Sequence, residues 1–302
     1  AGTYTLSASP NLGNKSLTIT GDGASSTIIN FVGSGTRMYF YMYPGPGRTI
    51  NISGITFKGD ASNTPVRLLY FYNNDSDTNA MMNARITDCV FDRTLSENVR
   101  VGAYAANMQS VTIENCEISN GFVAGIYVEN YGVATAKNCL FYSNSTVGFY
   151  AADHSQTTVQ SCTIDKSTDG IFYHNFAQGS VRDSIITNTS RGIRNDGSGT
   201  VTASFNNIWN SSVSNYDGVA AGAGSILQNP VYATGPLGAY YLSQSSPCVN
   251  AGSGLANAVG LGNKTTRTDG KWDTGTLDMG YHYTSNRGPP TSLPIEFIIK
   301  LL

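Results

Sequence analysis

The chain has 302 residues, a formal net charge of −2 and only 13% charged side chains, so nothing in its balance marks a nucleic-acid partner or an anionic membrane surface. A hydrophobic content of 40% excludes a disordered chain. Five cysteines in this length do not make a disulfide framework, and no apolar stretch approaches about 18 residues, so no membrane insertion is expected.

In chain order, Ala1-Gly2-Thr3-Tyr4-Thr5-Leu6 reads as a strand, and Lys15 to Gly23 and Thr27-Ile28-Ile29 continue in the same character. Met38, Phe40 and Met42 alternate with Tyr39, Tyr41 and Tyr43, which gives that strand an aromatic outer face. Ile52-Ser53-Gly54-Ile55-Thr56-Phe57 then introduces a phrase that recurs. After an insertion it returns as Ile86-Thr87-Asp88-Cys89-Val90-Phe91, Ile113-Glu114-Asn115-Cys116-Glu117-Ile118, Ala136-Lys137-Asn138-Cys139-Leu140-Phe141 and Val159-Gln160-Ser161-Cys162-Thr163-Ile164. The cysteines are 27, 23 and 23 residues apart, and the phrase continues without cysteine around Ser184 and Asn206. The insertion holds Asn73-Asn74-Asp75-Ser76-Asp77. Asp75 and Asp77 are its candidate calcium ligands, but the glycine spacing of a dedicated calcium loop is missing and a solvated loop is expected. No cofactor is expected otherwise.

A fixed period in the low twenties is the mark of a solenoid. Each repeat holds short alternating runs such as Gly125-Ile126-Tyr127-Val128-Glu129, divided by Gly, Asn, Asp and Ser, with no helical spacing of useful length. Strand, turn, strand and turn fill one coil, and coils stack at about 4.8 Å. The expected fold is therefore all-β, a parallel β-helix of about ten coils: residues 1–224 form the coils, 225–287 a closing segment, and 288–302 a hinge and an apolar tail strand. Cys89, Cys116, Cys139 and Cys162 are expected to point inward as a stack of free thiols, since in-register side chains have parallel Cβ vectors that suit packing better than a disulfide dihedral. Asn120, Asn144, Asn188 and Asn210 mark a second ladder, at a corner where asparagine tolerates a left-handed backbone.

Alternation puts Ile126, Phe149, Ile171 and Ile193 inside and Tyr127, Tyr150, Phe172 and Arg194 outside. The outer column is expected to extend upward through Tyr104, then Tyr70 or Tyr72, then Tyr39 or Tyr41, and downward to Tyr216. Tyr104, Tyr127, Tyr150 and Phe172 are the candidate carbohydrate-binding residues, since a flat aromatic stripe suits sugar rings or another protein. Aromatic neighbours across a sheet also stabilise it by themselves, so a purely structural ladder is the equal alternative. Two residues beyond the column come Glu129, Ala152-Asp153, His174 and Asp196, of which Glu129, Asp153, His174 and Asp196 are ionisable. With Arg194 they are the candidate catalytic residues, although no pair suits the two converging carboxylates of a hydrolase.

The chain resembles the right-handed parallel β-helix, or pectate-lyase-like, superfamily of secreted bacterial proteins. The resemblance is carried by the opening Ala1-Gly2-Thr3-Tyr4-Thr5-Leu6 with Thr18-Ile19-Thr20-Gly21-Asp22-Gly23. It is carried equally by the closing Asn229-Pro230, Ser246-Pro247-Cys248-Val249-Asn250-Ala251-Gly252 and Asp278-Met279-Gly280-Tyr281-His282-Tyr283. It implies an extracellular or cell-surface location after removal of a leader, and a fold that carries lyases, hydrolases, adhesins and structural proteins. Short loops after residue 110 and sparse charge favour a structural or adhesive role. A polysaccharide lyase or hydrolase, or a non-catalytic carbohydrate-binding module, is the alternative. The expected partner is an extracellular polysaccharide or a second copy. The apolar tail at Ile295 to Leu302, beyond Gly288-Pro289-Pro290, either packs on its own body or is donated head to tail to a neighbour.

Overall fold

The computed structural model describes residues 1–13, 15–42, 46–62, 64–75, 81–105 and 109–284, and the backbone of 299–301. Over these the chain winds as a right-handed parallel β-helix in which neighbouring strands of each long sheet come from successive coils. An aromatic sheet runs from Met38–Met42 to Ser214–Asp217 in eight strands. A threonine sheet runs from Leu17–Thr20 to Val201–Ser204, and a third sheet from Gly2–Leu6 to Asn207–Trp209. Eight strands correspond to about eight coils rather than ten, because the chain beyond about residue 228 stops winding and runs along the outside.

Period-two alternation builds the interior. In the third sheet, Ile29, Phe57, Phe91, Ile118, Phe141, Ile164, Ile186 and Ile208 stack in register. The threonine sheet contributes Ile19, Ile52, Ile86, Ile113, Ala136, Val159, Val181 and Ala203. These columns belong to one continuous buried cluster. All five cysteines are buried and free. The repeat position passes from Ile55 through the four ladder cysteines to Ser184 and Asn206, whose side chains accept from the backbone N–H groups of Cys162 and Ser184 at 3.1 Å each. Burial pushes the thiols of Cys116 and Cys162 well above their ordinary pKa, so they are inert packing groups.

The corners use the left-handed backbone. Asn115 (φ 55°) and Asn138 (φ 49°) turn the chain between the threonine sheet and the third sheet. At the following corner the left-handed residues are Arg93, Asn120, Ser143, Lys166, Asn188 and Asn210. Asn144 is thus one residue out of the expected ladder. It turns inward instead, accepting from the Gly121 N–H and donating to the Ile118 carbonyl. Amide-to-amide bonding survives where Asn210 donates to Asn188 at 2.7 Å.

The closing segment covers a side as well as an end. Residues 223–226 pair beneath the last coil, with Phe205 N–H donating to the Ala223 carbonyl and Ile208 N–H to the Ile226 carbonyl. The hairpin Tyr232–Gly235 and Gly238–Leu242 and the paired strands Lys264–Thr265 and Tyr283–Thr284 then lie against the outer face of the third sheet. Tyr241, Tyr281 and Tyr283 bury Leu140, while Leu242, Cys248 and Met279 bury Ile185. Polar latches fix the register: Tyr240 donates to Asp165 at 2.8 Å, Ser253 to Asp183, and Tyr281 N–H to the Thr163 hydroxyl. At the opposite end, Ile299–Leu301 lies antiparallel to Leu17–Thr20 of the same chain, one of the two placements expected for the tail.

Candidate binding site on the aromatic sheet

With the third sheet covered by the closing segment, the aromatic sheet is the long face on which rings and ion pairs gather. Its local cause is a repeated phrase, Gly125-Ile126-Tyr127, Gly148-Phe149-Tyr150, Gly170-Ile171-Phe172 and Gly192-Ile193-Arg194. The glycine is forced: a Cβ at Gly148 would lie 2.7 Å from the carbonyl oxygen of Gly170, and one at Gly170 2.6 Å from that of Gly192. The next residue enters the core and the third faces out.

Register fixes the outer column as Tyr39, Tyr70, Arg100, Tyr127, Tyr150, Phe172, Arg194 and Asp217. Two expected members are therefore misplaced. Arg100 stands where Tyr104 was expected, because Val99 and Val101 take the inward positions of Glu97–Ala103 and leave Arg100 between them. Tyr104 follows that strand and is 60% exposed on the corner beyond it. Tyr216 pairs with Ile193 and so belongs to the inner column.

The rings of this column face one another along the helix axis. Tyr127 and Tyr150 stack at 4.6 Å and 7°, and Tyr150 and Phe172 at 5.0 Å and 7°. Arg100 closes the upper face of Tyr127 at 4.8 Å, and Arg194 the lower face of Phe172 at 4.2 Å. Ring faces are thus already occupied, and edges and hydroxyls point outward. Burial, with the charges of Tyr150 and Glu129 nearby, pushes the Tyr127 phenol up to about 12, and burial also raises that of Tyr150. Both hydroxyls therefore stay protonated donors at neutral pH.

The ionisable candidates separate into three places. Glu129 binds Arg100, which also contacts Glu97, which in turn holds Arg67. Burial opposes the Arg100 cation, but the two carboxylates outweigh it and the pKa is raised. Asp153 sits at a left-handed corner and accepts from Asn175. His174, Arg194 and Asp196 do come together: His174 Nδ1 lies 2.7 Å from Asp196 Oδ1, and Arg194 contacts both Asp196 and Asp169. Arg191 spans Asp169 and Asp217. The face therefore sets Arg67, Arg100, Arg191 and Arg194 against Glu97, Glu129, Asp169, Asp196 and Asp217, four cations to five anions. Among the described residues no group of three His, Cys, Asp or Glu converges as a metal site. Asp75 is buried, and Asp77 lies outside the described residues.

Sequence reasoning missed a second row. Tyr131, His154 and Phe176 stack at 5.2 Å and 4.8 Å along the corner that borders the sheet. Their signal was faint, because each follows a left-handed turn of differing composition rather than an alternating strand. Between the two rows, the strand position two beyond the column carries Tyr72, Gly102, Glu129, Ala152, His174 and Asp196.

The sequence matches the family described as "Right handed beta helix region" over residues 53–232. Among solved structures it is similar to the crystal structure of pectate lyase Pel9A, with 12% identity, a TM-score of 0.42, and coverage of 93% of this chain and 97% of that one. No curated protein matches the sequence.

Proposed function

The chain belongs to the right-handed β-helix family, and from that premise we propose that it is an extracellular, adhesive β-helix whose aromatic sheet binds an extended polysaccharide without cleaving it. The observation that carries this reading is the face itself, which no described residue covers and where two aromatic rows flank a column that runs from Tyr72 to Asp196. Recognition would run through ring edges, tyrosine hydroxyls and the outward atoms of paired ions, not through ring faces. The arginines of the face are paired with its carboxylates, which leaves one negative charge in excess and favours a neutral polysaccharide over a polyuronate. Each arginine is also engaged by carboxylates, whereas proton abstraction needs a free base. Self-association through the tail strand is a separate proposal, since pairing within one chain and between chains would use the same backbone groups.

Replacing both Tyr127 and Tyr150 with phenylalanine keeps the stack and removes two hydroxyls. At about 0.5–1.5 kcal/mol for each lost hydrogen bond, retention on the polysaccharide that binds should fall about tenfold. Thermal stability should stay unchanged. Unaltered retention on affinity electrophoresis would assign the column to sheet stability alone. Incubating the protein with that polysaccharide bears on a second reading, favoured by the Asp196-oriented His174 beside Arg194: unsaturated sugar ends that vanish in His174→Ala would make the face a lyase site.

A further inference from the structure

The closing segment carries a recess away from the aromatic sheet. A 440 Å³ pocket is lined by Asn257, Gly260, Gly262, Asn263, Trp272 and Thr274. Its size is that of a small-molecule site, for which the usual range is about 300–1,000 Å³. Trp272, one of two tryptophans in the chain, is 54% exposed there. The two amides supply donors and acceptors together, Thr274 adds a hydroxyl, and none of the lining side chains is ionisable. The nearby ammonium of Lys137 is already paired with Glu114 at 3.3 Å.

The recess stands on a fixed base. Residues Ala256–Val259 form a single 3-10 turn closed by Gly260 at φ 73°. Ala256, Leu261 and Leu277 pack beneath it as a separate buried cluster. Gly262 lies against Asn257, since a Cβ there would fall 1.6 Å from its amide oxygen, so the glycine leaves room for that amide. Asp273, beside Trp272, is anchored by its backbone N–H donating to the Lys264 carbonyl and by its carboxylate bonding His282. A preformed site loses little freedom on binding.

We infer that this pocket is a binding site for a neutral pyranose sugar, distinct from the aromatic sheet. An indole offers an apolar surface to the C–H face of a pyranose ring, and paired amides match vicinal hydroxyls, each of which donates and accepts. An anion would find no cation in the lining, and a purely apolar ligand would have to displace water from two exposed amides.

The test uses the full chain and the intrinsic fluorescence of its tryptophans. Methyl glucoside, methyl galactoside, methyl mannoside and N-acetylglucosamine are titrated to about 50 mM, a range that captures affinities near 1 mM. At least one of them should give a saturable emission shift that persists in Trp209→Phe. The shift should be lost in Trp272→Phe, where only Trp209 reports, and weakened at least fivefold in Asn257→Ala. Binding of that sugar followed by line broadening of its own proton signals should disappear in Trp272→Ala, with the unfolding temperature unchanged. Sugar binding that persists in Tyr127→Phe/Tyr150→Phe separates this pocket from the aromatic sheet, whatever the fate of the polysaccharide reading. No saturable response to any of the four, or one that survives Trp272→Ala, would overturn the inference.

Discussion

Phe91→Ala is expected to cost about 3–5 kcal/mol of stability, the usual range for deleting a buried aromatic ring. Phe91 is wholly buried and stacks on Phe57 at 5.2 Å and 8°, with Ile118 next in the same column. Removing it leaves a cavity that neighbouring coils cannot fill, because each inner side chain is held by backbone pairing above and below. Phe91→Leu keeps most of the volume and should lose less than half as much. In a solenoid the damage spreads to adjoining coils through nearest-neighbour contacts, so urea unfolding should also become less cooperative. A loss below about 1 kcal/mol would mean that the column is not close-packed.

The second large effect is at Asn138, which joins the coils to the closing segment. Its amide oxygen accepts from the His282 N–H at 2.7 Å, and its nitrogen donates to the His282 carbonyl and the Asn115 side chain at 2.9 Å each. Asn138 and His282 are buried, and Asn115 is half-buried. Asn138→Ala strands two backbone groups at about 1–3 kcal/mol each and puts alanine at φ 49°. The expected total is about 3–5 kcal/mol. Asn138→Gly removes the backbone strain but not the lost bonds, so it should recover only about 1 kcal/mol. Limited proteolysis should then cut within residues 229–284 of either variant while the coils remain resistant. Equal protection in wild type and variant would show that the apolar contacts of Tyr241, Tyr281 and Tyr283 hold the segment unaided.

The winding of the chain was legible because each coil repeats one phrase and because alternation assigns inside and outside without tertiary information. Ile126, Phe149, Ile171 and Ile193 were placed inward on that ground, and they are buried. The same rule failed above them. In Arg100-Val101-Gly102-Ala103-Tyr104 the outward residues alternate in both Arg100 and Tyr104, and only pairing with Tyr70 and Tyr127 decides between them. The Asn144 slip has a similar origin: Ser143 and Asn144 both suit a corner, and the Gly121 N–H selects which one turns inward. The path of the closing segment was not legible at all. Its anchors join residues as far apart as Asn138 and His282, and a local pattern carries no information about such a pair. Nor could sequence alone show that the outward rings stack on one another, which changes the chemistry of the face from ring stacking to edges and hydroxyls.

The most direct test of the polysaccharide reading is how affinity depends on ligand length. From Tyr39 to Arg194 the column crosses six coil-to-coil steps, or about 29 Å at about 4.8 Å per step. If a chain lies along this face, calorimetric affinity for oligosaccharides of the bound polysaccharide should rise with each added sugar. It should level off once the ligand spans about that distance, and the gain with length should shrink in Tyr127→Phe/Tyr150→Phe. An affinity that is already full with a mono- or disaccharide, or that rises with length equally in the wild type and the double variant, would contradict binding along the aromatic sheet.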